Sequence, residues 1–157
     1  MPQAYTIQKQ DLYGKAYAPY NTGFVARKSS SQTLSGGSDN IIQFSTVDYN
    51  VMGYNANNGY NNSNHRFTAP SRGLYHFSAC FMGNIADTGY IRTGIKKNGG
   101  THFGLTYATF TNGAYESIVT TAAVYLEQND YVEVVSYITT SSFVLDNTGS
   151  FTGFLVG

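Results

Sequence analysis

The chain reads as an all-β sandwich or jelly roll. Three observations lead there. Val, Ile, Thr, Tyr and Phe gather into about eight to ten short runs. Turn signals rich in Gly, Asn and Ser separate these runs, and no stretch shows a helical period. The 14 Tyr and 10 Phe suit pleated, half-buried surfaces. A chain of 157 residues makes one domain with a sizeable core.

Residues 1 to 20 are weakly patterned, and Gly14 and Pro19 break any long element. Residues 1–22 are therefore expected to form an attachment arm, with the folded domain over 23–157. Thr22 to Arg27 is the first strand. Ser29 to Gly37 follows as a polar loop, and Asn40 to Val47 as the second strand. Residues 48–64 are rich in Asn, Tyr and Gly, which favour turns and left-handed backbone. They read either as a surface loop or short edge strand, or as a loop that touches a ligand. Further on, Gly83 to Gly89 turns the chain. Tyr90 to Lys97 is a strand, Asn98-Gly99 a hairpin signal, and His102 to Phe110 the returning strand. Thr111 to Ala114 turns again. Glu116 to Leu126 and Tyr131 to Ile138 are strands joined by a turn at Glu127 to Asp130. Asp146 to Gly149 is a last turn before the strand Phe151 to Val156.

The central strand carries most of the information. Pro70 disfavours helix at Ala69, and Ser71-Arg72-Gly73 supplies a turn. Beyond it, Tyr75, Phe77, Ala79 and Phe81 alternate with Leu74, His76, Ser78, Cys80 and Met82. The first set is aromatic and belongs in the sandwich core. The second set is also largely uncharged. A strand without charge on either face is usually buried on both, yet a sandwich covers only one. A second copy of the same chain is the natural cover. Glu116 to Leu126 repeats the pattern, with Val119, Thr121, Ala123 and Tyr125 on one face and Ile118, Thr120, Ala122, Val124 and Leu126 on the other.

Charge and chemistry exclude several classes. The formal net charge is zero and 11% of residues are charged, so nucleic acid is not an expected partner. So little charge also keeps a monomer poorly soluble. Cys80 is the single cysteine and reads as a small buried apolar residue. Met1 to Tyr5 has neither a basic start nor an apolar run, so no signal peptide is expected there. No segment suits membrane insertion. His65, His76 and His102 stand at no metal-binding spacing. His76 reads as an interface histidine, or more sharply as one of three around a shared axial ion. The acidic residues are isolated, so no calcium loop is present. A carboxylate pair assembled in space between subunits stays open as a hydrolase reading. No catalytic residue, metal or cofactor is expected. Lys96 and Lys97 read as a solvated hairpin tip that protects an edge. Tyr54, Asn57, Tyr60, Phe110 and Tyr115 are the expected ligand contacts, placed in end loops where stacking and amide bonds suit carbohydrate or protein.

A family pattern joins these motifs. Six residues separate Tyr60 from Phe67, five separate Phe67 from Gly73, and Tyr75 and Phe77 follow at alternate positions. This resembles the signature of the globular head of complement component one, subunit q, a branch of the tumour-necrosis-factor-like jelly rolls. Leu126 to Val132 resembles the family's leucine, glycine-aspartate, valine turn, with Asn129 in place of the glycine. Phe151 to Leu155 resembles its last strand. Ala79 stands where the family has an aromatic, and Phe81 is placed to fill that volume. An upstream aromatic-to-Asn spacing fits either Phe44 to Asn50 or Tyr49 to Asn55. No tract like the family's collagen stalk occurs in the 157 residues.

The resemblance implies a ten-stranded jelly roll that assembles as a compact homotrimer. It implies an interface in which Leu74, His76, Ser78 and Cys80 meet Thr121, Tyr125 and Phe154 of neighbours. The expected function is a non-enzymatic trimeric binding or structural module. Low charge and a surface rich in Asn, Gly, Ser, Thr and Tyr favour a virion component: a bacteriophage fibre tip, a receptor-binding head or a capsid decoration protein. Its partners would be itself, other virion proteins through the arm, and a glycan or protein of the host surface. The alternative is a bacterial cell-surface or extracellular head that binds glycan or protein.

Overall fold

The computed structural model describes residues 22–51, 59–85, 87–111 and 113–156. The expected arm lies outside them except for Thr22, as do Tyr54 and Asn57. The described residues form twelve strands: β1 Gly23–Arg27, β2 Gln32–Ser35, β3 Asp39–Ile41, β4 Thr46–Val51, β5 Gly59–Asn61, β6 Arg66–Thr68, β7 Gly73–Ile85, β8 Gly89–Lys97, β9 Thr101–Phe110, β10 Tyr115–Leu126, β11 Tyr131–Ile138 and β12 Ser142–Leu155.

Ten of these build two facing sheets. One runs β10-β7-β12-β1-β4 and the other β5-β6-β11-β8-β9. Every pairing is antiparallel. They match the expected ten strands in number, and β2 and β3 add one short strand to each sheet by pairing with β12 and β11. Ser29 to Gly37 is therefore not a plain loop. Leu34 is buried and draws β2 onto the core, and the Asn40 side chain accepts from Ser35 N and donates to Ser35 O, at 2.9 Å each.

Three further boundaries differ from the sequence reading. The strand expected over Asn40 to Val47 is split, because Ile42 and Phe44 both turn into the core between β3 and β4. β7 runs straight through Gly83, where any side chain would strike the Phe143 ring and the Val144 carbonyl. β12 is continuous across Asp146 to Gly149. What reads as a turn is a bulge, with a register shift between Leu145 and Gly149 and a 2.7 Å bond from Thr148 N to Asp146 Oδ1.

The core between the sheets is aromatic, as the alternation on β7 requires. Tyr75, Phe77, Ala79 and Phe81 are all buried. Phe24 stacks on Phe67 and on Tyr60 with ring centres 5.0 Å apart in each case. Phe151 meets Phe24 edge-on at 4.9 Å. Such pairs add roughly 0.5–1.5 kcal/mol each beyond their area burial.

Side chains also join the two sheets at their margins. On one side, Thr106 Oγ1 on β9 donates to Val119 O on β10 at 2.8 Å, and Thr120 Oγ1 on β10 donates to Gly104 O on β9. On the other side, Asn50 of β4 donates to Tyr60 O at 3.0 Å and accepts from Tyr60 N at 3.1 Å on β5.

Candidate functional site

The outer face of the first sheet brings the predicted interface residues together. Register sets Tyr125 opposite Leu74, Ala123 opposite His76, Thr121 opposite Ser78 and Val119 opposite Cys80. On the other flank of β7, Phe154 lies opposite His76, Thr152 opposite Ser78 and Ser150 opposite Cys80. Strand alternation turns all of them to the same side. Leu74, His76, Ser78, Cys80, Thr121, Tyr125 and Phe154 thus share one continuous surface within a single chain. No charged residue occurs in these rows.

The surface extends over β1 and β4, where Val25 pairs with Thr152 and Tyr49 with Val25. Its charge is confined to the margin, where Arg27 binds Asp48 at 2.7 Å. Tyr125, Phe154 and Val119 are each 52% exposed. The His76 and Phe154 rings lie 5.4 Å apart. Cys80 is half-buried, with Sγ 3.4 Å from Ser150 Oγ. Val25 and Tyr49 are members that sequence reading did not place on this face, whereas Val119 was already grouped with Thr121 and Tyr125. The β10 alternation carried the signal for Val119; the Asn-rich reading of residues 48–64 concealed Tyr49.

Two of the predicted ligand contacts are corrected. Tyr60 is buried, and its hydroxyl donates to Phe44 O at 2.9 Å. Burial raises its pKa despite that bond. Phe110 is buried against Phe143, ring centres 5.2 Å apart. Both are core residues because they occupy inward positions, Tyr60 in the middle of β5 and Phe110 at the end of β9. Tyr115 remains open, 63% exposed at the start of β10.

The basic doublet is also not a solvated tip. Lys96 Nζ lies 2.9 Å from Asp39 Oδ2, and Lys97 Nζ lies 2.7 Å from Asp130 Oδ2. Bonds from Lys97 and Asn98 pull the Asp130 pKa down to about 2. Burial opposes ionisation of Asp39, but the Lys96 bond and the fields of His102 and Arg92 leave its carboxyl below the ordinary value. Among the described residues no three His, Cys, Asp or Glu side chains converge as a metal site would need. No helix among them is long and apolar enough to cross a membrane.

A family model for the C1q domain matches residues 23–156. The chain belongs to the C1q domain family. Two solved structures illustrate the likeness. The globular domain of zebrafish complement 1qA protein has a TM-score of 0.62 at 14% identity, covering 87% of this chain and 98% of that one. The Eiger TNF of S. frugiperda has a TM-score of 0.64 at 9% identity, covering 87% and 92%. At these identities the likeness is one of fold. No curated protein matches the chain.

The structure bears on two of the departures in the C1q motifs. Asn129 adopts φ +71°, so it takes the left-handed backbone that a glycine would supply. Of the two upstream spacings, the one from Phe44 to Asn50 lies wholly within the described residues, whereas Asn55 lies outside them. Phe44 is buried and Asn50 grips β5, whereas Tyr49 faces outward. C1q and tumour-necrosis-factor-like domains are generally trimeric binding modules without enzymatic activity.

Proposed function

We propose that this C1q domain is a non-enzymatic binding head that works as a homotrimer, with the uncovered face of the first sheet joining the copies. The supporting observation is the set of charge-free rows around Leu74, His76 and Phe154. A monomer exposing Tyr125, Phe154 and Val119 by half would leave a broad apolar patch in water. Copies related by a threefold axis remove it by bringing Leu74, His76, Ser78 and Cys80 of one chain near Thr121, Tyr125 and Phe154 of the next. Light scattering coupled to size exclusion tests this. The expected mass is three times the 17.1 kDa chain, and a monomer mass would sink the reading.

The setting we favour is a virion, as a phage fibre tip, receptor-binding head or capsid decoration. Low charge and an Asn-, Ser-, Thr- and Tyr-rich composition support it. Residues 1–22 would then tether the head to other virion proteins. Deleting them should leave a soluble trimer that no longer joins particles. The same head on a bacterial cell surface or in the extracellular medium is the second reading. Tyr115 favours recognition of a host glycan or protein in either setting, because it presents an open ring at the sandwich end.

A further inference from the structure

The outer face of the second sheet carries an ordered polar-aromatic row. Register sets Asp39 opposite Tyr137, Tyr137 opposite Arg92, and Arg92 opposite Tyr107. These four residues cross the adjacent strands β3, β11, β8 and β9, a span of about 14 Å at the usual strand spacing. Tyr90, two residues before Arg92, projects to the same side. Its ring centre is 6.0 Å from that of Tyr107 and 6.4 Å from that of Tyr137. The Arg92 guanidinium sits 5.2 Å from the Tyr137 ring centre. All of these positions are set by strand register, which holds them more rigidly than loops would.

The row has unused recognition capacity. Tyr107 is 61% exposed and Tyr90 36%. The hydroxyls of Tyr90, Tyr107 and Tyr137 have no protein partner among the described residues. Arg92 reaches Asp39 only at 3.5 Å, while Lys96 takes the same carboxylate at 2.9 Å. Most of the five guanidinium donors are therefore open. Arg92 and Lys96 against Asp39 leave one net positive charge. Flat rings, open phenols, a cationic fork and one spare positive charge describe the complement of a polyhydroxylated ring that bears one carboxylate.

We propose that this row binds an acidic saccharide. Sugar rings lie on Tyr107 and Tyr90, the carboxylate takes the Arg92 fork, and hydroxyls reach the phenols and Asp39. The proposal rests on reading the domain as a recognition head and gives that head a site. A phosphate dianion would exceed the single positive charge available.

Saturation-transfer NMR on the full chain tests it, with 3′-sialyllactose and trigalacturonic acid as acidic probes and lactose, maltotriose and adenosine monophosphate as comparisons. At least one acidic probe should bind. The neutral sugars and the nucleotide should bind about tenfold more weakly. Tyr107→Ala and Arg92→Gln should each weaken acidic binding by at least about tenfold, with elution mass and melting temperature unchanged. Absence of binding by both acidic probes would overturn the proposal. So would equal binding of neutral sugar or nucleotide, wild-type binding by both variants, or loss of binding in Tyr115→Ala instead. A monomer mass would sink the trimer reading alone, because the row lies within one chain.

Discussion

Arg66 and Glu133 form an ion pair across β6 and β11, with Nε donating to Oε2 at 2.8 Å. The Glu133 side chain is 5% exposed and that of Arg66 35%. The guanidinium also lies 4.2 Å from the Tyr131 ring centre. Removing Arg66 would strand a buried carboxylate. Arg66→Met should therefore cost about 2–4 kcal/mol in urea denaturation, somewhat below a fully buried pair because Arg66 partly meets water. Adding Glu133→Leu should restore most of the loss. A double variant no better than the single one would show that packing, and not charge, is at stake.

Phe77 tests the assignment of faces on β7. Its ring centre lies 5.5 Å from that of Phe67 and 6.0 Å from that of Phe151. Phe77→Ala should destabilise by about 3–5 kcal/mol. A near-neutral urea midpoint would mean that the inward set has been misplaced.

The opposite side of the same strand gives a contrasting outcome. Leu74 is exposed in the single chain and pairs with Tyr125. Leu74→Asp should leave secondary structure intact by circular dichroism and convert the proposed trimer to a monomer by light scattering. Three carboxylates brought toward one axis would repel and would have to be desolvated. A trimer of normal stability would show that this face is not the interface.

His65 predicts a pH dependence. It holds left-handed backbone at φ +60°, and its Nδ1 is buried without a partner. Burial pushes its pKa below the ordinary 6.5, and Lys28 adds to this against the opposing bond to the Phe44 carbonyl. The unfolded chain therefore binds the proton more readily than the folded one. Stability should be full above about pH 6.5 and fall as pH drops below it. Asp130, held near 2, titrates outside that window. Burial and the field of Lys96 also lower the His102 pKa, so His65→Asn, which tolerates the same backbone, should reduce but not abolish the melting-temperature slope between pH 7 and 5. An unchanged slope would assign the effect elsewhere.

Much of the fold was readable because β7 and β10 alternate cleanly. Tyr75, Phe77 and Phe81 could belong only inside, and the uncharged set between them demanded a second cover. The surface rows were less readable, since register is a relation between strands that one chain's order does not reveal. Asp39, Tyr137, Arg92 and Tyr107 are scattered over 99 positions of sequence, 39 to 107 and 137, and become neighbours only through β3, β11, β8 and β9. Composition also misled where burial and turn chemistry pull apart. Tyr60 follows an Asn-rich run that looks like a loop, yet its ring fills the core and only its hydroxyl is polar. Lys96 and Lys97 looked solvated because their acidic partners come from distant segments.

The threonine and asparagine bonds at the two margins have a consequence for growth. A sheet extends when an incoming strand finds a row of unoccupied backbone amides and carbonyls. Here Val119, Gly104 and Tyr60 already spend backbone groups on side chains from the opposite layer. Strand-by-strand polymerisation into fibrils is disfavoured at both flanks. Broadside contact, as in the proposed trimer, stays open, and an assembly closed about a threefold axis has a finite size.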